Sequence, residues 1–138
     1  MEHQYLLDTN IASFIIKKTS HALDFRSSKF PAGQLVVSAV TEAELRYGAA
    51  RLPAEARLHE LVEKFLARVT ILPWDSDSAQ QYGLLRAALE KIGQPMDDID
   101  LMIAAHALAL GLVLVTNDHA FSRIKKLKVE DWTKGPRP

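Results

Sequence analysis

The chain contains no cysteine, which excludes disulfide bonds and thiolate metal ligands. It also has no excess of either charge, because 17 lysines and arginines offset 17 aspartates and glutamates, so nothing attracts the whole molecule to nucleic acid or membranes. No apolar run is long enough to span a bilayer, and the first residues, Met1 to Gln4, lack the basic and apolar regions of a signal peptide. We therefore expect a soluble cytoplasmic protein without a membrane partner.

The length of 138 residues, with 48% hydrophobic residues, fits one domain covering 1–138. Short runs rich in Val, Ile and Leu punctuate the chain, and they do not alternate apolar with polar residues. This pattern is typical of strands buried on both faces, as in a parallel sheet. The predicted strands are 4–7, 35–38, 69–72 and 112–116, with a weaker fifth at 127–130.

Segments whose apolar residues follow helical spacing lie between these runs. The predicted helices are 10–18, 20–29, 41–51, 58–69 behind Pro53 as a first-turn residue, 75–92 between an Asp75 cap and a Gly93 stop, 97–110 ended by Gly111, and 119–124. Strands alternating with helices predict a three-layer α/β/α sandwich around a mostly parallel sheet of about five strands. Two helices separate the third and fourth strands, so we expect the helix at 75–92 to run transversely or to project.

Four acidic residues fall where such a fold would bring them together. Asp8 and Asp118 each follow a predicted strand, and Glu44 and Asp100 lie in the first turns of predicted helices. Ligands of open α/β sheets bind outside the carboxyl ends of the strands. Asp8, Asp118 and Glu44 therefore belong at that edge, and Asp100 joins them if its helix packs antiparallel to the strand that it feeds.

Each acid taken singly also suits helix capping. Thr41 and Glu44 have the spacing of a capping box, and acidic residues are preferred at helix starts. The remaining candidate caps are Asp8 or Asn10, Asp97 followed by Asp98 and Asp100, and Asp118.

Gathered together, the four carboxylates imply a bound cation. Two such charges about 4 Å apart repel by about 4 kcal/mol at an effective dielectric near 20. A ligand set made only of oxygens favours Mg²⁺ or Mn²⁺ over Zn²⁺, and such ions activate water to hydrolyse phosphodiesters. Polar neighbours that would support the ligands are Thr9, Asn10, Ser38, Thr116 and Asn117. The scattered histidines form no ligand pattern, and we expect His106 to be a packing residue.

At these residues the chain resembles the PIN-domain ribonucleases and, within them, the VapC toxins of bacterial type II toxin–antitoxin systems. The resemblance spans nearly the whole chain. It rests on four motifs taken in order: Leu7 to Asn10, Val37 to Gly48, Gly93 to Ala107, and Val115 to Asp118 with Phe121 and Val129 to Trp132 beyond it.

The resemblance implies which acids form the quartet: Asp8, Glu44, Asp100 and Asp118. The acid that directly precedes a leucine matches the family pattern, which selects Glu44 rather than Glu42. Asp100 is similarly selected over Asp97 and Asp98, because it precedes the Met-Ile-Ala-Ala run. The family often has asparagine at the fourth position, so Asp118 makes this site more acidic.

The resemblance further implies a sheet order of 3-2-1-4-5 and a Mg²⁺- or Mn²⁺-dependent endoribonuclease. It implies a homodimer and a VapB-type antitoxin that wraps the toxin. Members similar to this chain cut the anticodon loop of initiator tRNA. RNA binding requires cations beside the acids, and the candidates are Arg46, Arg86, Lys17, Lys18 and the group Lys125, Lys126 and Lys128.

Two other classes of function remain open from the residues alone. A phosphoacceptor signalling domain is also a small α/β fold with acids at strand ends, and it would use Asp75 as the acceptor. A non-catalytic binding module would use the acids only as helix caps or to dock a basic partner.

Overall fold

The computed structural model describes residues 4–134. Its centre is a sheet of five strands, all parallel, in the order β3-β2-β1-β4-β5. The strands are β1 (Tyr5–Leu7), β2 (Leu35–Ser38), β3 (Thr70–Leu72), β4 (Val113–Val115) and β5 (Val129–Glu130). The predicted fold class and strand order are confirmed.

Helices cover both faces of the sheet. They are α1 (Thr9–Lys17), α2 (His21–Ser28), α3 (Ala39–Ala50), α4 (Arg57–Arg68), α5 (Ser76–Lys91) and α6 (Asp98–Leu110), with 3₁₀ turns at Ala32–Gln34 and His119–Arg123. Within residues 4–134, every helix falls short of the length and apolar character that crossing a bilayer requires.

Successive residues of a strand point to opposite faces of the sheet, so they pack into two different hydrophobic cores. Leu6 packs with residues of α5 and α6, whereas Leu7 packs with residues of α1, α2, α3 and α4. Every residue of β2 is buried, which accounts for the apolar run from Leu35 to Val37 that precedes Ser38. The sheet is therefore the middle of three layers.

Two predicted helix starts are wrong. α3 begins at Ala39 rather than at 41, because β2 runs directly into it and the last strand residue, Ser38, is the N-cap: its hydroxyl accepts the Val40 N–H at 3.1 Å. The capping box of Thr41 and Glu44 therefore does not exist. Pro53 is likewise no first-turn residue, because it lies in a turn before α4, which starts only at Arg57.

The helix stops and the other caps follow the prediction. Asp75 accepts the Ser78 N–H at 3.2 Å at the start of α5. Gly93 and Gly111 follow α5 and α6 with φ of 72° and 66°, in the left-handed region that glycine tolerates. α5 packs along α6 through a buried leucine, Leu85, and thus does not project.

The chain after β5 closes the core on one side. Trp132 is 1% exposed and stacks on Phe30 with ring centroids 5.0 Å apart, while Tyr5 of β1 lies 5.1 Å away. Its indole N–H donates to Glu130 at 2.8 Å, and the Arg26 guanidinium lies over its ring. These contacts attach the segment after β5 to β1, the first strand.

We expect Trp132→Ala to lower the free energy of unfolding by about 3–5 kcal/mol, because it empties a buried aromatic site. Chemical denaturation monitored by circular dichroism measures this. Trp132→Phe keeps the ring packing and loses the N–H, so it should cost less than half as much. Equal losses in the two variants would show that the hydrogen bond, not the packing, carries the stabilisation.

Candidate active site

Asp8 sits directly after β1 and is 4% exposed. One carboxylate oxygen accepts the Ile11 N–H at 2.8 Å and caps α1, and the other accepts the hydroxyl of Thr116. Its own N–H donates to Val115 O at 3.1 Å. Two hydrogen bonds therefore fix the side chain, one from α1 and one from Thr116 after β4, and the predicted cap at Asp8 is confirmed.

Thr116 joins the ends of β1 and β4. Its single hydroxyl proton goes to Asp8, while its oxygen accepts the Asp118 N–H at 3.0 Å. Asp118 in turn accepts the Ala120 N–H at 2.9 Å and caps the 3₁₀ turn. The structure thus places the first and fourth acids of the quartet on either side of one threonine.

Glu44 is held by two threonines. The Thr9 hydroxyl donates to Glu44 Oε1, and the hydroxyl oxygens of Thr9 and Thr41 are 3.1 Å apart. Because the single hydroxyl proton of Thr9 is donated to Glu44, the hydroxyl of Thr41 must be the donor to Thr9. Thr41 is fully buried. Sequence reasoning missed this role, although the i, i+3 spacing from Thr41 to Glu44 puts both on one helix face.

Asp100 is the third residue of α6. Its pKa is raised to about 6, first by burial and then by the negative charges of Asp97, Asp118, Asp8 and Glu44, in that order of importance. The first turn of α6 is therefore close enough to the other three acids to feel each of them.

The pKa of Asp8 is also raised. Burial and the charges of Asp118 and Glu44 raise its pKa, and the hydrogen bonds from Thr116 and Ile11 lower it, with a net pKa of about 6. The hydrogen bonds therefore do not offset the combined effect of lost water and neighbouring negative charge. The structure therefore brings the four predicted acids into one electrostatic group.

The chemistry of this group fits a hard divalent cation, although its geometry is not a closed cage. Within residues 4–134, no three side chains of Asp, Glu, His or Cys stand in a ready-made ligand arrangement. The donors are all oxygens, as Mg²⁺ and Mn²⁺ prefer. Asp8 and Asp100, which burial makes costly to ionise, would gain from a positive partner, and no lysine or arginine of the described chain pairs with either.

The other predicted supporting residues differ in placement. Ser38 caps α3 and lies 2.8 Å from the ring of His106, which is buried as a packing residue should be. Asn10 is exposed and Asn117 is half-buried. Neither amide makes a side-chain hydrogen bond among the described residues, so their support of the acids stays a prediction.

The predicted arginines are engaged with nearby acids. Arg46 donates to Glu42 at 2.8 Å and to Glu63 at 3.2 Å, so both of its acidic partners lie within the chain. Arg86 lies 3.0 Å from Glu90. These pairs are exposed, so each contributes little to stability and can exchange.

Arg86 also reaches the start of α6. Its Nη1 lies 3.3 Å from Asp98 and 2.9 Å from the Tyr82 hydroxyl, which places it beside the turn that carries Asp100. Lys17 and Lys18, at the end of α1, are exposed and form no ion pair within residues 4–134.

Comparison with known proteins gives consistent results. A family model described as "PIN domain" matches residues 5–127. The chain is 38% identical over 130 residues to "Ribonuclease VapC2" of Haemophilus influenzae, covering 94% of this chain and 98% of that protein. It is 37% identical over 131 residues to "tRNA(fMet)-specific endonuclease VapC" of Shigella flexneri, with the same coverage. The crystal structure of DNA-bound VapBC from Salmonella typhimurium matches with a TM-score of 0.88 at 36% identity, covering 95% of this chain and 99% of that chain.

We expect Asp8→Asn to stabilise the metal-free protein near pH 7.5. The pKa of Asp8 is raised from 3.8 to about 6, so its contribution to stability is present below about pH 4 and is lost as the pH rises through about 6. Removing the charge should return at most about 3 kcal/mol, which corresponds to a Tm gain of up to about 10 °C. Thermal melts with a chelator measure this, and the gain should vanish near pH 4.

The matched control is Asp77→Asn, an exposed acid in the first turn of α5. It should leave the Tm nearly unchanged at both pH values. A lower Tm for Asp8→Asn near pH 7.5 would mean that the ionised carboxylate stabilises the fold.

Proposed function

The chain belongs to the PIN-domain family and, within it, to the VapC ribonucleases of toxin–antitoxin pairs, and on that premise we propose that it is a Mg²⁺- or Mn²⁺-dependent endoribonuclease. The observation that carries the proposal is the convergence of Asp8, Glu44, Asp100 and Asp118 at one edge of the sheet. Two of these acids have a pKa raised to about 6 by burial and mutual repulsion.

In this proposal the four carboxylates hold the ion, and hydroxyl groups orient them. Thr116 fixes one oxygen of Asp8, and Thr9, backed by Thr41, fixes one oxygen of Glu44. When bound, a divalent ion would supply an activated water and neutralise charge on the scissile phosphate. A hydroxyl donor leaves the net negative charge of the site unchanged, so the site keeps its attraction for the cation.

We propose that the substrate is an exposed RNA loop, with the anticodon loop of initiator tRNA as the specific candidate. The support is the similarity to the relative from Shigella flexneri, whose name specifies tRNA(fMet). An open edge rather than a deep pocket suits a loop, because unstacked bases leave the phosphate backbone accessible.

Cations that contact the RNA must lie beside the acids without being neutralised. We propose that Arg46 and Arg86 release their acidic partners to bind phosphate, with Lys17 and Lys18 as further contacts. A second source is the segment 121–128, where buried residues recur at every third position. Its outward side chains are exposed and form no ion pair within residues 4–134: Arg123, Lys125, Lys126 and Lys128.

This basic segment adjoins the site. It comes soon after Asp118, and Arg123 donates to the carbonyl oxygen of Pro95 at 2.9 Å, just before the start of α6. Cations at this position would extend the path of an RNA strand that crosses the acids. Arg137, which the sequence adds to this basic region, lies outside the described residues.

We also propose a VapB-type antitoxin as partner. A cavity of about 300 Å³ with an apolar floor and a charged rim lies between α1, α2 and α4. Phe30 and Phe65 belong to the floor, and Lys18, Asp24 and Arg68 to the rim. An amphipathic peptide segment would fit this combination.

A homodimer is proposed on family grounds. Tyr47 of α3 is 70% exposed and Leu84 of α5 is 64% exposed, so both are large apolar groups that association could cover. Sedimentation measurements would establish the state.

The phosphoacceptor hypothesis gains nothing from the structure. β1 ends with the single acid Asp8, and the carboxylate of Asp75 is engaged as the cap of α5.

We expect Asp8→Asn and Asp100→Asn each to reduce Mn²⁺-dependent cleavage of RNA by more than about a hundredfold, beyond the effect typical of residues behind the ligands. Single-turnover cleavage of purified tRNA measures this. Asp77→Asn, as the matched exposed acid, should cleave at the wild-type rate. Wild-type cleavage by both Asp8→Asn and Asp100→Asn would refute the proposed metal site.

We expect the triple variant of Lys125, Lys126 and Lys128 to glutamine to raise KM with little change in kcat, because phosphate contacts act on binding. The slope of log Kd against log salt should fall by about 2 if all three contact a single strand. Removing three exposed cations at the end of α3 and on α4, at Arg51, Arg57 and Lys64, should leave KM unchanged. Equal effects of the two triple variants would mean that net charge, not this segment, governs binding.

A further inference from the structure

His106 is a buried imidazole in a helix whose other buried residues are apolar. It is 1% exposed and flanked by Ala105 and Ala107, which are fully buried. A buried polar ring is costly unless it is hydrogen-bonded. Its Nδ1 lies 2.8 Å from Ser38 Oγ, across 68 residues of sequence.

The Ser38 hydroxyl has two tasks. Its oxygen accepts the Val40 N–H at 3.1 Å as the N-cap of α3, which leaves its single proton for His106. The ring is then neutral, with Nδ1 accepting and the other nitrogen protonated. Burial lowers the pKa of His106, and the carboxylate of Asp75 acts in the opposite direction, so the neutral form is the one expected near neutral pH.

This hydrogen bond connects the two helices that carry acids of the quartet. His106 belongs to α6, whose first turn carries Asp100, and Ser38 starts α3, which carries Glu44. The surrounding contacts between these helices involve apolar side chains such as Val40 and Leu101, which attract without direction. A satisfied buried polar pair, by contrast, selects one relative position of the helices.

We propose that His106 is a positioning residue, which through Ser38 holds α6 and α3 at the spacing that lets Asp100 and Glu44 bind one divalent cation. The inference rests on the proposed metal site and adds a residue that touches neither metal nor substrate. The proposed role of His106 is to support metal affinity rather than to transfer a proton.

The test compares His106→Asn with His106→Gln, a matched pair of polar amides. The asparagine amide ends near the position of Nδ1 and can bond Ser38, whereas the glutamine amide ends near the other ring nitrogen and cannot. Binding of Mn²⁺ to the protein without RNA is measured by titration calorimetry or electron paramagnetic resonance, and Tm is recorded alongside. We expect His106→Asn to bind Mn²⁺ within twofold of wild type and His106→Gln about tenfold more weakly.

Ser38→Ala should weaken Mn²⁺ binding to a similar extent. Combined with His106→Gln, it should add little, because both changes break the same bond. Equal Mn²⁺ affinity in the two His106 variants would overturn the inference, and so would a His106→Gln protein that is unfolded at the assay temperature. Failure of the wild-type protein to bind Mn²⁺ would instead contradict the proposed metal site itself.

Discussion

Mutual repulsion among four carboxylates at one edge of the sheet is the constraint on which the arrangement of this protein depends. The acids come from the ends of β1 and β4, from the second turn of α3 and from the first turn of α6, so the parallel sheet and its crossovers are what gather them. Burial adds to the cost of their charge. The fold must therefore supply both rigid attachment and a reason for the charges to remain together.

Neutral hydroxyl groups provide the attachment. Four hydroxyl groups each donate their single proton to one partner, namely those of Thr9, Thr41, Thr116 and Ser38. Together they link β1, β2, β4 and the helices that follow these strands. A lysine or arginine in their place would bind the carboxylates more strongly, but it would also cancel the charge. The nearby arginines are instead paired with acids outside the quartet, such as Glu42 and Glu90. The negative potential of the site is thereby preserved.

Local chemistry made most elements predictable from the sequence. Uniformly apolar runs marked buried strands, and Asp75, Asp97 and Asp118 cap helices as their residue type favours. The strand order and the choice of Glu44 over Glu42 required the family resemblance, because neither can be deduced from periodicity. The contacts that orient the site escaped prediction, since Thr9 meets Thr41 across 32 residues and His106 meets Ser38 across 68. Ser38 is both the last residue of β2 and the N-cap of α3, so the start of α3 was predicted too late in the sequence.

The order of the strands governs when the site can exist. Of the five strands, β1 is made first and lies at the centre of the sheet, but its partner β4 and the acid Asp118 are made only after α6. Trp132, which packs on Tyr5 of β1, comes later still. A nascent chain therefore carries Asp8 without the edge that completes the quartet. The quartet is thus incomplete until β4 and the turn after it have been synthesised and have folded against β1.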